Sequence, residues 1–209
     1  MKKAIYGLTL LLMTTTAQAD LSGNLGYASE YHFRGILQKN SSASGGLDYE
    51  SGGFYVGTWA ADVGDGLEVD GYFGYGTEVG DFGLSVGYTG YFYTGDTFDD
   101  TYQEINLGAS FGILSLDVAV GKHDLDEDIH GATGDEDYTF VSLTLEDDSG
   151  LYGTLGSFSQ DLDGEYLELG YGTTVAEIDL GVALIFANDD LVGDAEESIV
   201  FSIGKSFDL

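Results

Sequence analysis

The chain has 209 residues and a formal net charge of −31 at neutral pH, with 37 acidic residues against six lysines and arginines. This charge excludes nucleic acid as a partner, because binding it requires basic side chains that neutralise phosphates. The absence of cysteine excludes a disulfide framework and a thiolate metal site. The 15 tyrosines and 12 phenylalanines favour a folded protein over a disordered acidic chain.

The first 19 residues have the features of an export signal. Lys2-Lys3 forms a basic start, an apolar stretch runs to Met13, and Ala17-Gln18-Ala19 is an A-x-A cleavage site. The apolar stretch is too short to span a membrane as a helix. We therefore predict a signal peptide over 1–19 and a mature chain over 20–209. Without the two lysines, the net charge changes from −31 to −33.

From residue 20 onward, apolar residues alternate with small or polar ones, which is the pattern of β-strands with one apolar face. In the clearest strand, Leu67, Val69 and Phe73 alternate with acidic and small residues. Turn residues divide the chain into twelve such strands, at about 21–34, 43–50, 54–62, 67–79, 82–92, 105–111, 114–120, 141–145, 151–160, 167–171, 178–186 and 199–209.

The connections between these strands fall into two classes. Those after the even-numbered strands are short, whereas those after strands one, five, seven and eleven are longer and polar, at 35–42, 94–101, 123–137 and 188–196. Short periplasmic turns, longer outer loops and an even strand number are typical of bacterial outer-membrane barrels. We therefore predict an all-β fold, a transmembrane antiparallel up-and-down β-barrel of about twelve strands. A soluble β-sandwich is the alternative, but the polar inner faces would disrupt a dry core.

Aromatic residues lie near many of the strand ends. In a membrane barrel such residues form girdles at the two lipid–water interfaces. We expect this role for Tyr27, Tyr31, Phe33, Tyr49, Trp59, Phe92, Phe111 and Phe186.

Two blocks near the start of the mature chain carry a family resemblance. The stretch from Tyr27 to Gln38 reads YASEYHFRGILQ, and a second block covers Gly46–Glu50 and Gly53–Ala60. Together they resemble the TorF family of porins. The resemblance implies an outer-membrane barrel with a pore function, and it supplies neither a substrate nor catalytic residues.

The last eight residues, Ser202–Leu209, form the end of the twelfth predicted strand. They resemble the C-terminal signal that outer-membrane barrels present to the barrel-assembly machinery. We therefore expect a location in the bacterial outer membrane after signal-peptide-dependent export, with the assembly machinery and outer-membrane lipid as partners.

Strand parity predicts that acidic residues line the lumen. They greatly outnumber inward bases, so the lumen should attract cations and repel anions. We predict a porin-like channel for passive diffusion of small solutes or ions, selective for cations, with no cofactor and no metal site. The predicted pore-lining residues are Glu30, Arg34, Asp48, Glu50, Glu68, Asp70 and Asp117.

Arg34 is the only arginine of the chain, and two roles are open to it. It could shape a constriction in the pore, or it could form a structural ion pair across neighbouring strands, for instance with Asp48 or Glu50. We favour the ion pair.

Three further alternatives concern the whole protein. Inward tyrosines could close the lumen and leave a structural or adhesive barrel; they are Tyr72, Tyr91, Tyr93 and Tyr102. A barrel enzyme is less favoured, because His32 and His123 have lumenal parity and His130 lies in a loop. The acidic run over 124–137 is best interpreted as a solvated outer loop, with weak bridging by a divalent cation as its alternative.

Overall fold

The computed structural model describes residues 20–95, 101–125 and 134–209. Twelve antiparallel strands form a closed barrel in which neighbours in sequence pair and β12 pairs with β1, so the predicted all-β barrel fold is confirmed. The strands are β1 Asp20–Phe33, β2 Ile36–Ser51, β3 Phe54–Gly64, β4 Gly66–Val79, β5 Phe82–Tyr93, β6 Thr101–Phe111, β7 Leu114–Leu125, β8 Gly134–Glu146, β9 Leu151–Gln160, β10 Gly164–Val175, β11 Ile178–Ala187 and β12 Glu196–Asp208.

The outer surface of the barrel is apolar. Successive side chains of a strand point to opposite faces, and the odd or even set that points outward carries large hydrophobic residues. These residues are exposed on every strand, for example Leu25, Leu47, Val56, Phe73, Val86, Ile105, Leu116, Leu143, Leu155, Leu169, Leu184 and Phe201. Such a surface needs an apolar solvent around it, as the outer face of a membrane barrel does.

The barrel end at which β1 begins and β12 ends has short connections, as predicted. The turns there include Gly52-Gly53, Gly80-Asp81 and Ala176-Glu177, and all of these residues except Asp81 have positive φ. Two-residue turns with positive φ match the twist of antiparallel strands. We call the opposite end, where the connections after the odd-numbered strands lie, the mouth.

One of the predicted long loops at the mouth does not exist. The sequence predicts a loop over 35–42, but β2 begins at Ile36 and the connection consists of Arg34 and Gly35 alone. These two residues have φ of 50° and 87°, the signs of a type I′ hairpin turn. The polar residues after them belong to a strand, because they pair with β1 instead of facing open solvent.

A short helix also lies at the mouth. Helix α1, Asp189–Val192, follows β11, and the side chain of Asn188 caps it by accepting from the Leu191 backbone N at 3.1 Å. Among the described residues, no helix is long and apolar enough to cross a membrane. The predicted signal peptide and residues 126–133 of the acidic run, including His130, lie outside the described residues.

Candidate functional site

The tip of the β1–β2 hairpin leaves the barrel wall, and the first departure is from β12. Strand β1 pairs with β12 only from Ser22 to Ala28. At the next position the backbone N of Phe201 donates to the Ser29 hydroxyl at 2.9 Å. A side chain therefore replaces a backbone acceptor at the point where β1 separates from its neighbour.

A second serine marks the departure of β2 from β3. Backbone pairing of these strands extends as far as Ser44 and Ala61. Beyond it, the Ser42 hydroxyl donates to the carbonyl oxygen of Asp62 at 2.7 Å. Ser41 has φ of 67°, a left-handed conformation that bends the strand. We call residues 29–41, which lie beyond these two points, the mouth hairpin.

Arg34, in the turn of the mouth hairpin, is bound to the wall on β6. Its two terminal nitrogens donate to the two carboxylate oxygens of Glu104 at 2.5 and 2.9 Å. The side chains are 14% and 0% exposed. This is a bidentate, buried ion pair between residues 70 positions apart. Arg34 does form an ion pair, but not one across neighbouring strands as predicted. Its partner is neither Asp48 nor Glu50, because the tip crosses the mouth instead of continuing in the wall.

The wall holds the Glu104 carboxylate with three further hydrogen bonds. The hydroxyl of Tyr138 donates to Oε1 at 2.8 Å and that of Tyr91 to Oε2 at 3.1 Å. The Asn106 amide donates to Oε2 at 2.9 Å. Because these donors lie on β5, β6 and β8, the carboxylate is positioned by the barrel itself, independently of the mouth hairpin.

Aromatic rings surround the guanidinium group of Arg34. Its central carbon lies 4.2 Å from the ring centroid of Phe140 on β8 and 5.9 Å from that of Phe158 on β9. Phe33 of the hairpin lies at 4.8 Å. These distances are those of cation–π contacts. We call the wall residues around this group the Glu104 cage: Tyr91, Glu104, Asn106, Tyr138, Phe140 and Phe158.

Two other contacts fix the mouth hairpin. The Tyr31 hydroxyl donates to Glu68 on β4, which also accepts from Tyr93 at 2.8 Å. The turn packs against β10, where a Cβ atom at Gly35 would lie 2.6 Å from the Cβ of Tyr166. These contacts add β4 and β10 to the wall strands that the hairpin touches around Glu104.

Side chains fill the lumen at the level of these contacts. Glu68, Asp70, Tyr91, Glu104 and Tyr138 all point inward, and each is no more than 2% exposed. Side chains that line an open, water-filled passage would be exposed to water. In this conformation the hairpin and the wall therefore close the barrel near the mouth.

The predicted pore-lining residues fall into separate groups. Glu68 and Asp70 are buried near the mouth, and Glu30 accepts from His32 at 2.9 Å within the hairpin. Asp48 lies towards the opposite end and accepts from Tyr72 at 2.5 Å. Glu50, also on β2, and Asp117, on β7, are half-buried. The structure brings Arg34, Glu68 and Asp70 into one region and leaves the others outside it, so a shared pore-lining role for the seven remains a prediction.

Several residues of this site were missed by the sequence reasoning. Glu104 alternates with outward Ile105 and Leu107, and this parity was sufficient to place it inward. Phe140 precedes outward Val141 on β8, so the same parity places it inward. Its burial with Phe158 against Phe33 and Ile36 of the mouth hairpin was not predictable, because aromatic residues are unexpected in a wet lumen.

Three residues assigned to the aromatic girdles are inside the barrel instead. Tyr31 packs against Trp59 with ring centroids 5.6 Å apart, and Phe33 packs against Tyr91 at 5.5 Å. Trp59 has inward parity on β3, and the other two belong to the mouth hairpin. The remaining five girdle candidates are exposed on the outer surface: Tyr27, Tyr49, Phe92, Phe111 and Phe186.

The four tyrosines expected to narrow the lumen do point inward. Tyr72, Tyr91 and Tyr93 donate to inward carboxylates. The ring of Tyr102 stacks on His123 at 4.0 Å. In the part of the chain that the structure describes, no group of three or more histidine and acidic side chains is arranged to hold a metal ion.

Comparison with known proteins gives a family and a fold. A family model described as a bacterial protein of unknown function, Gcw_chp, matches residues 13–180. No curated protein matches the sequence. The resemblance to the TorF family therefore remains a prediction.

One solved structure shares the barrel fold at low sequence identity, and two porins match more weakly. A structure from work on the in-meso crystallisation of membrane proteins has a TM-score of 0.60 at 12% identity, with 91% of this chain and 84% of that one covered. OccK1 of Pseudomonas aeruginosa has a TM-score of 0.43 at 13% identity, and the match covers 82% of this chain and 58% of OccK1. A BenF-like porin from Pseudomonas fluorescens Pf-5 has a TM-score of 0.44 at 13% identity, and the match covers 94% of this chain and 66% of that porin. The chain spans less than two thirds of either porin.

Proposed function

The chain belongs to the Gcw_chp family of bacterial proteins of unknown function, and from its own geometry we propose that it is an outer-membrane channel for small solutes or cations. In the conformation described here, the mouth hairpin closes the channel. The supporting observation is the buried ion pair between Arg34 and Glu104 across the mouth.

A buried ion pair is an unusual way to fill a barrel permanently. Removing two charges from water is costly, and apolar side chains of similar volume are often as stabilising or more so. Ionisable groups inside membrane-spanning segments commonly mark pathways for ions or substrates. The hairpin is held by polar contacts, and this favours a reversible closure of the channel rather than a permanent structural plug.

The proposed location is the bacterial outer membrane. The exposed apolar outer surface matches outer-membrane lipid. Export would use the signal peptide predicted over 1–19, and insertion would use the assembly machinery that reads the C-terminal strand.

We propose that the channel selects cations. Inward carboxylates include Asp48, Glu68, Asp70 and Asp117, and the nearest inward base, Arg34, is already neutralised by Glu104. An acidic passage lowers the energy of a cation and raises that of an anion.

Planar-bilayer recording of the refolded mature chain tests this function. In a KCl gradient we expect brief openings with a reversal potential of the sign that indicates K⁺ preference. Glu104→Gln removes the charge that holds Arg34 and should increase the open probability. Glu78→Gln makes the same chemical change at an exposed site near the opposite end and should not.

A closed structural barrel is the second candidate, and the filled lumen near the mouth favours it. Folded wild-type and Glu104→Gln proteins that both lack conductance would support this candidate and reject the channel. A reversal potential of the opposite sign would reject cation selectivity alone.

A further inference from the structure

We propose that the Glu104 cage is a binding site for guanidinium-bearing solutes, and that Arg34 occupies it as a built-in competitor. A solute of this class would displace Arg34 and release the mouth hairpin. The step from binding to channel opening rests on the proposed channel function, whereas the binding site itself does not.

The cage is complete without the hairpin. All six of its residues belong to β5, β6, β8 and β9, and the three neutral donors to Glu104 come from these strands. When Arg34 leaves, the carboxylate keeps its position and loses only its cation. Preorganised groups of this kind bind a ligand without the cost of ordering the site.

The geometry of the cage suits a planar cation. Both Glu104 oxygens accept from Arg34, which matches the two parallel N–H groups of a guanidinium. The face of Phe140 lies 4.2 Å from the guanidinium carbon, where a flat, weakly hydrated cation stacks well. Ammonium and alkali-metal ions offer neither the paired donors nor the flat surface.

Departure of Arg34 from the Glu104 cage is energetically linked to the binding of another cation there. The Glu104 side chain is 0% exposed, and an uncompensated buried charge is strongly destabilising. Hairpin release is therefore unfavourable unless a solute cation replaces Arg34. Because the solute binds only the released form, it shifts the population towards that form.

Arg34→Ala empties the cage and permits a direct binding test. We expect millimolar methylguanidinium chloride to raise the unfolding temperature of this variant saturably, by a few degrees. Ammonium chloride and KCl at the same ionic strength should give a smaller, non-saturating change. Adding Glu104→Gln to the variant should abolish the saturable response.

Lys39→Ala provides the matched control. It also removes a cation from the mouth hairpin, but its ion-pair partner Asp62 is 40% exposed on β3. We expect no saturable rise in the unfolding temperature of Lys39→Ala with methylguanidinium. Equal responses of Arg34→Ala, its Glu104→Gln double variant and Lys39→Ala would overturn the proposal.

A second measurement uses the wild-type chain, so the proposal stays testable if Arg34→Ala does not fold. Lys39 lies in the mouth hairpin, and release of the hairpin should expose it to trypsin. Because methylguanidinium also competes for the acidic specificity pocket of trypsin, cleavage at Lys39 is measured relative to cleavage of an unstructured lysine peptide in the same solution. This relative rate should rise severalfold in wild type, and an unchanged relative rate would contradict displacement of Arg34. Saturable binding without conductance would reject the channel function and support the binding site. Conductance without saturable binding would support the channel function and reject the binding site.

Discussion

Gly35 shows how a single residue sets the position of the mouth hairpin. Its φ is 87°, and a Cβ atom there would lie 2.6 Å from the Cβ of Tyr166. Positive φ is easily adopted by glycine and is unfavourable for residues with a side chain. Because the turn also touches β10, any added atom meets the wall.

We therefore expect Gly35→Ala to loosen the mouth hairpin. Gly80→Ala is the matched control, since Gly80 also has positive φ, 67°, but its added Cβ would meet nothing within 4 Å. Backbone strain alone costs about 1 kcal/mol. The free energy of unfolding should therefore fall by about that amount in the Gly80→Ala control, and by more in Gly35→Ala. Urea unfolding of the folded barrels in detergent measures both changes. Equal losses would mean that the contact with Tyr166 contributes nothing.

At the scale of secondary structure, the two serines where the mouth hairpin leaves the wall act as its points of attachment. The Ser29 hydroxyl accepts from Phe201, and the Ser42 hydroxyl donates to Asp62. Each bond satisfies a backbone group of a wall strand that has lost its partner strand, and unsatisfied backbone groups are costly in lipid.

We expect Ser29→Ala and Ser42→Ala to release the hairpin more often. A lost hydrogen bond of this kind costs about 1 kcal/mol, or roughly a fivefold larger released population. The rate of tryptic cleavage at Lys39 should rise accordingly. Ser115→Ala, on β7 and away from the hairpin, serves as control. A rate equal to that of the control would show that the hydroxyls do not hold the hairpin.

The strands were predictable because each carries its own signal in its sequence, and the mouth hairpin was not. Leu67, Val69 and Phe73 alternate with inward residues, so period and parity placed them correctly. Gln38 and Lys39 were assigned to a loop because they are polar. They are in a strand because they pair with β1 across the two-residue turn at Arg34-Gly35. What no local pattern encodes is the position of this hairpin, since Arg34 contacts Glu104 over 70 positions.

At the scale of the whole molecule, the ring closes between the first and last strands. The pairing of β1 with β12 covers seven residue pairs, and the Leu209 backbone N adds a bond to the Leu21 carbonyl at 2.9 Å. The even strand number and the antiparallel closure were predictable from the count of turns. The shortened pairing of β1 with β12, where the hairpin leaves the wall, was not predictable. It depends on contacts that the hairpin makes inside the lumen.

The last strand also permits a test of the predicted assembly signal. Phe207 and Phe201 both point outward from β12, 39% and 60% exposed, but only Phe207 belongs to the signal. Phe207→Ala and Phe201→Ala should reduce spontaneous folding into lipid vesicles to a similar, small extent. In cells, Phe207→Ala should lower the amount of folded protein in the outer membrane much more than Phe201→Ala does. Equal amounts would argue against recognition of this segment.

Because β1 leaves the wall at Ser29, the mouth hairpin can rotate about that residue as a short lever. Arg34 lies five residues beyond Ser29, an arm of roughly 17 Å in an extended strand. Below the pivot, Ser22 to Ala28 remain paired with β12. The tip can therefore swing through a distance comparable to its own length while the ring below it stays closed, so that opening the mouth does not require breaking the barrel.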